Sequence, residues 1–163
     1  MFGAGCGSSA HRARTSAASR TAPAPADAKA VSVIRAWSIA LRRGDVDAAA
    51  RYFALPSEFF DGAGAAISIR NEAEARAANA ALPCGALLIS ATRRGRFVSA
   101  LFRLTNRPGP DAGCGSGTGQ LARTDFVISH GRILAWIRAP ETGGGAPPGR
   151  TGPRTPQSSG PLV

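Results

Sequence analysis

Residues 29–43, KAVSVIRAWSIALRR, carry apolar side chains at Val31, Ile34, Trp37 and Leu41. Steps of three and four predict a helix with one buried face. Arg42 and Arg43 suit its last turn, and Gly44 its end. Asp45 reads as the N-cap of a second helix, VDAAARYFA, because its carboxylate can accept the amide groups that a helix start leaves free; Pro56 stops that helix. SEFFD (57–61) and AISI (66–69) read as short extended pieces on either side of a glycine turn. Asn71 caps a third helix, EAEARAANAAL, which Pro83 closes.

Beyond Pro83 the period changes from 3.6 to 2. GALLISATRRGRFVSALFRLTN reads as a hairpin turning at Arg94-Gly95, and QLARTDFVISHGRILAWIRA as a second, turning at His130-Gly131. Three N-terminal helices followed by an antiparallel meander make an α+β fold with helices on one face of a curved sheet. Alternation assigns Leu87, Ile89 and Ala91 to the covered face, with Val98, Ala100, Phe102 and Leu104, then Phe126 and Ile128, then Ile133, Ala135 and Ile137. The opposite face takes Leu88, Leu101, Arg123, Asp125, Val127, Leu134, Trp136 and Arg138. It is too apolar for a fully wetted sheet, and a homodimer formed through it would cover it.

Composition narrows the folded region. Residues 1–28 are rich in Ser, Ala, Pro and Arg and read as a flexible tether, and 140–163, rich in Gly and Pro, as a disordered tail. Neither has the large apolar side chains needed to offset the entropy of ordering. Residues 29–139 have the size of one domain. The net charge of the 163-residue chain is +10, and 19 of its 20 basic residues are arginine. Residues 29–139 hold 15 basic and 8 acidic residues, a net +7. The densest cluster, Arg93-Arg94-Gly95-Arg96, falls on a turn without the aromatic ladder or recognition helix of a nucleic-acid site, so it reads as a solvated basic surface. No apolar run is long enough to span a bilayer.

The glycine-rich stretch PDAGCGSGTG (110–119) matches no nucleotide-binding motif. Two cysteines in the domain are too few for a structural zinc site. No cofactor and no metal is expected. In a hairpin turning at 94–95, Cys84 lies opposite about residue 105. Cys114 lies nine residues beyond that point, in a loop that starts and ends at the same sheet edge. Gly113 and Gly115 let the backbone bring the sulfurs together. A Cys84–Cys114 disulfide is therefore expected, closing a loop worth roughly 3–4 kcal/mol in the chain-entropy model. Such a bond favours an extracytoplasmic setting; two reduced thiols in a cytoplasmic protein are the alternative.

Three stretches carry a family resemblance. WSIALRRGDVDAAARYFA joins two helices through Gly-Asp and ends in an aromatic pair. SIRNEAEARAANAALP runs a short strand into a helix. DFVISHGRILAWI has an aromatic strand, a polar-Gly turn, an Ile and a Trp. Over about 30–138 the chain resembles the nuclear transport factor 2-like superfamily, in its polyketide-cyclase-like (SnoaL-like) branch. The resemblance implies a cone-shaped cavity between helices and sheet, used by cyclases, isomerases, ligand binders and partner-binding modules alike. Separately, GAGCGSS (3–9) resembles a bacterial lipoprotein site, with Gly3 where that site usually has Leu. Cys6 is its lipidation candidate, and a lipid there would be the only link to a membrane.

Candidates for chemistry inside such a cone are few. Tyr52, Asp61 and Asp125 are the acid–base candidates, with Glu58 beside the second. By alternation Asp125 points away from the covered face. His11 falls in the tether and His130 on a turn. Trp37, Tyr52, Phe53, Phe60, Phe102, Phe126 and Ile137 are the expected cavity walls. The leading expectation is a non-catalytic domain that binds a small apolar ligand or a protein partner. A small acid–base enzyme of the cyclase or isomerase type comes second, and a structural dimerisation module third.

Overall fold

The computed structural model describes residues 24–140 apart from 63 and 111. Most of the tether, with Cys6 and His11, and the tail from residue 141 lie outside the described residues. Residues 24–27 already belong to the folded unit. The Arg93 amide donates to the Ala24 carbonyl (2.9 Å), and Pro25 forms a bridge with Thr92.

Three helices begin on side-chain caps. Asp27 accepts the Lys29 amide at the start of α1 (Ala28–Arg42), and Asp45 the Ala48 amide at the start of α2 (Val46–Ala50). Asn71 accepts the Glu74 amide at the start of α3 (Glu72–Ala80), while Glu74 accepts from the Arg70 amide. Each cap satisfies amides that the first turn cannot. The α1–α2 corner turns on Gly44, at φ +76°; a Cβ there would come within 2.5 Å of the Pro108 carbonyl oxygen. Only glycine combines that backbone angle with that approach.

The strands are β1 (Phe53–Phe60), β2 (Ile67–Ile69), β3 (Gly85–Arg94), β4 (Phe97–Thr105), β5 (Leu121–Ser129) and β6 (Arg132–Arg138). They form one six-stranded sheet in the order β2-β1-β6-β5-β4-β3, antiparallel except for the parallel β1–β6 pair. Helices on one face of this sheet give the α+β cone.

The second helix is shorter than its sequence suggests. It stops at Ala50, and the chain is extended from Phe53 through Pro56 to Phe60. Tyr52 therefore occupies a turn, not a helix end. Pairing decides this: the Ile133 amide donates to the Tyr52 carbonyl (2.8 Å), and β1 gains β6 on one side and β2 on the other. Those ladder bonds override local helix preference.

Two bulges alter the strand phase. Between Leu88 and Ser90 the β3–β4 register shifts by one, with Ile89 as the extra residue. Ala86 and Leu88 face inward, and Leu87 and Ile89, expected in the core, are 46% and 47% exposed. The second bulge, at Leu134, shifts β5 against β6 between Val127 and Ile128. Ile133 remains in the core, but Trp136 comes opposite Phe126 and is buried against Trp37 of α1. Ala135 and Ile137 turn to the other face, and Asp125 lies opposite Ile137 instead of Trp136. A single inserted residue reverses a period-2 pattern from that point on. Strand β4 and the central part of β5 keep the expected phase: Val98, Ala100, Phe102 and Phe126 are all buried.

Candidate functional site

Trp37 of α1 is the centre of the interior. It packs edge-on against Phe102 (6.0 Å between centroids), Phe126 (5.5 Å) and Trp136 (6.3 Å). Its indole N–H donates to Asn79 Oδ1 (2.8 Å), and Asn79 Nδ2 donates to the Ala75 carbonyl (2.8 Å). The fully buried Asn79 amide is thus bonded through both its oxygen and its nitrogen. Trp136 stacks face to face on Phe59 of β1 at 4.4 Å.

Beside this cluster lies a cavity of about 210 Å³, between α1, the inward face of β3–β6 and the loop after β4. Its apolar wall includes Trp37, Leu41, Ala86, Phe102, Leu104 and Trp136. Thr124 and Arg138, neighbours across β5 and β6, supply its polar side. Thr124 is buried, and Arg138 is exposed.

The loop after β4 closes one end. Cys84 and Cys114 form a disulfide, with Cα atoms 4.5 Å apart. Cys84 lines the cavity, and Gly117 lies over the bond, where an added Cβ would come within 3.2 Å of Cys114 Sγ. The Gly113 amide donates to the Pro83 carbonyl, and the Gly119 amide to the Leu104 carbonyl. Buried Arg107 donates through Nε to the Leu82 carbonyl and through Nη2 to the Ala80 carbonyl, both at 2.8 Å. One guanidinium thereby covers the otherwise unpaired carbonyls at the end of α3.

The expected site residues separate in space. Trp37 and Phe102 line the cavity. Phe53 and Phe126 lie in the solid core. Phe60 is half-buried on β1 beside Ile137, which the bulge has turned outward. Half-buried Tyr52 borders a separate groove with Arg51 and Arg132. Asp61 is exposed after β1, and Glu58 lies with Ser68 and Ala135 on the outer sheet face. Asp125 also belongs to that face, paired in register with Ser99 and Ile137; its Oδ1 is buried without a hydrogen-bond partner among the described residues. His130 sits on its turn at φ +49°, its Nδ1 2.8 Å from Ser129 Oγ. Tyr52, Asp61 and Asp125 are therefore not brought together, and among the described residues the cavity lining holds no Asp, Glu, His or Tyr. Among the described residues no cluster of His, Cys, Asp or Glu could hold a metal, and no helix is long and apolar enough to cross a membrane.

Sequence reasoning did not assign Thr124 or Arg138 to the cavity. Thr124 had a signal, since it lies two residues before Phe126 and so shares its face. Arg138 had none, because its direction depends on the Leu134 bulge.

No family model and no curated protein matches the sequence. Solved structures do match. An NTF2-like protein of unknown function from Burkholderia xenovorans aligns at TM-score 0.51 and 14% identity, covering 73% of this chain and 88% of its own. A SnoaL-like protein of unknown function from Burkholderia thailandensis aligns at TM-score 0.50 and 18% identity, over 70% and 96%. The fold is that of the nuclear transport factor 2-like, SnoaL-like proteins. A chain provisionally assigned as a polyketide cyclase, from Sinorhizobium meliloti, aligns at TM-score 0.48 and 18% identity, over 65% and 92%. At such identities the likeness speaks for the fold alone. In this domain, helices, inward sheet face and disulfide loop enclose the cavity.

Proposed function

We propose that this nuclear transport factor 2-like domain is a non-catalytic binder of a small, largely apolar molecule held in the cavity beneath Trp37. The supporting observation is the lining: thirteen described residues, two of them tryptophans, with no carboxylate, imidazole or phenol among them. An acid–base enzyme needs such a group within hydrogen-bond reach of the substrate. The cyclase or isomerase reading would have to recruit Tyr52, Asp61 or Asp125, which lie outside this lining. A cavity of about 210 Å³ is below the ~300 Å³ at which drug-sized pockets begin, so the ligand is compact. The disulfide supports an oxidising, extracytoplasmic setting, with Cys6 as the candidate lipid anchor.

Single-ring probes test this. A ligand of about nine non-hydrogen atoms, at roughly 0.5 kcal/mol each, binds with a submillimolar Kd. We expect α-methylstyrene and acetophenone to shift tryptophan fluorescence saturably, and Ala122→Phe, which fills the cavity from its wall, to abolish this while leaving the circular dichroism spectrum native. An unsaturable response, or one that survives Ala122→Phe, removes the reading.

We also propose that the domain pairs with a second copy through its outer sheet face. Leu87, Leu121 and Leu134 are exposed there, and Leu101, Val127 and Ile137 are half-buried. Asp125 Oδ1 lies on the same face without a partner among the described residues. Sedimentation equilibrium at tens of micromolar is expected to give twice the 16.6 kDa chain mass, and Leu101→Asp to return it to one chain. A single-chain mass for the unmodified protein ends this part of the proposal.

A further inference from the structure

The chain enters the fold at a strongly basic end. The Ala24 carbonyl accepts the Arg93 amide there, and Pro25 bridges Thr92. Beside this entry a groove of about 400 Å³ lies between the start of α1 and the two hairpin turns, bordered by Lys29, Arg93 and Arg96. Arg94 ends β3 at the same turn. A second groove shares Gly131 with the first and is bordered by Arg51 and Arg132. All six cations are exposed. Along the sequence only Arg93, Arg94 and Arg96 stand together, which leaves Cys6 as the one expected link to a membrane. The fold adds Lys29, Arg51 and Arg132 from three other stretches, so that six of the 15 basic residues of 29–139 share one end.

Acidic groups do not neutralise them. Among the described residues Asp27 is the one acid bordering either groove, and its Oδ1 accepts the Lys29 and Ala30 amides as the α1 cap. Asp47, one turn before Arg51, lies 3.5 Å from Arg76. Arg93 Nε donates to the Gly95 carbonyl and Arg132 Nη1 to the Arg51 carbonyl, neutral acceptors that leave both charges in place. We infer that this end docks on an anionic phospholipid surface, its six cations meeting the lipid phosphates. The inference is independent of what the cavity holds.

The arrangement favours a membrane over a nucleic acid. The cations are spread over a broad end built from the α1 start, two turns and the end of α2, which suits a plane of charge. The aromatic ring of the first groove, Phe97, is occupied by the Arg96 guanidinium at 4.9 Å, so it offers a base no free stacking platform. The oxidising setting that the disulfide supports also has phospholipid at hand. Residues 7–23 connect Cys6 to this same end, so a lipid on Cys6 and the basic end would act on one bilayer. Each basic residue brought to an anionic membrane raises partitioning about fivefold.

The test uses the full oxidised chain made without a lipid on Cys6, so that charge acts alone. It is expected to sediment with vesicles of phosphatidylglycerol and phosphatidylcholine, not with phosphatidylcholine alone, and to be released as salt rises from about 0.05 to 0.5 M. Arg93→Gln/Arg94→Gln/Arg96→Gln should lower partitioning about a hundredfold. Arg42→Gln/Arg43→Gln/Arg70→Gln removes the same charge from other parts of the fold and should lower it less than threefold. If the first triple variant lacks a native circular dichroism spectrum, Lys29→Gln/Arg51→Gln takes its place, with a fall of about twenty-fivefold. Absence of vesicle binding, equal losses in the two triple variants, or displacement from vesicles by a DNA duplex at equal phosphate concentration overturns the inference.

Discussion

Replacing Cys84 and Cys114 together by alanine is expected to lower the melting temperature by roughly 12–20 °C. The bond links residues 30 apart, and freeing a loop of that length releases about 3–4 kcal/mol of unfolded-state entropy; in a domain of this size each kcal/mol moves the midpoint by about 4–5 °C. The folded state loses less, because the same loop is also held by Arg107 at the end of α3 and by the Gly113 and Gly119 amides. The loop should therefore keep its course in the variant while the whole domain melts earlier. The check is thermal unfolding of the oxidised wild type, the reduced wild type and the double variant, with the bond established by mass before and after reduction. A loss below about 1 kcal/mol would mean that the denatured chain is already restricted near these residues.

Trp37→Ala is expected to cost about 3–5 kcal/mol, the range for removing a large aromatic side chain from a core. Trp37 is 2% exposed and touches Phe102, Phe126 and Trp136, so its loss opens a void where helix and sheet meet. The hydrogen bond to Asn79 adds a separable part. Trp37→Phe keeps most of the ring volume but leaves the buried Asn79 Oδ1 without its donor, costing about 2 kcal/mol; Asn79→Leu costs a similar amount by orphaning the indole N–H. The double variant Trp37→Phe/Asn79→Leu removes both polar partners and should recover about 1–2 kcal/mol relative to the sum. Denaturant unfolding of the four proteins measures this coupling. Simple additivity would show that the 2.8 Å contact contributes nothing to stability beyond packing.

Much of this architecture was legible along the chain. The α1 face was readable because Ile34, Trp37 and Leu41 must share one side of any helix there. The caps at Asp45 and Asn71 were readable because a short acceptor side chain beside a helix start does the same work in most contexts. The hairpin turns, and with them the Cys84–Cys114 pairing, followed from register counted outward from a turn, which is local arithmetic.

The site was less legible. Of the walls named from aromatic content, Trp37 and Phe102 face the cavity, while Phe53 and Phe126 are in the core. An apolar residue carries the same sequence signal whether it borders a void or another side chain. Only the packed arrangement distinguishes the two.

The sequence by itself determined the order of the elements, the buried face of α1, the phase of β4 and the disulfide, because each depends on neighbours within one helix or one hairpin. The tertiary structure decided the rest. Residues 53–56 became strand because β6, some eighty positions later in the chain, offered a partner. The bulges at Ile89 and Leu134 carried Leu87 and Ile137 out and Trp136 and Arg138 in. A bulge is one unpaired residue whose place is set by how a curved sheet fits the helices above it. No composition or period marks it beforehand, yet every side chain beyond it changes face.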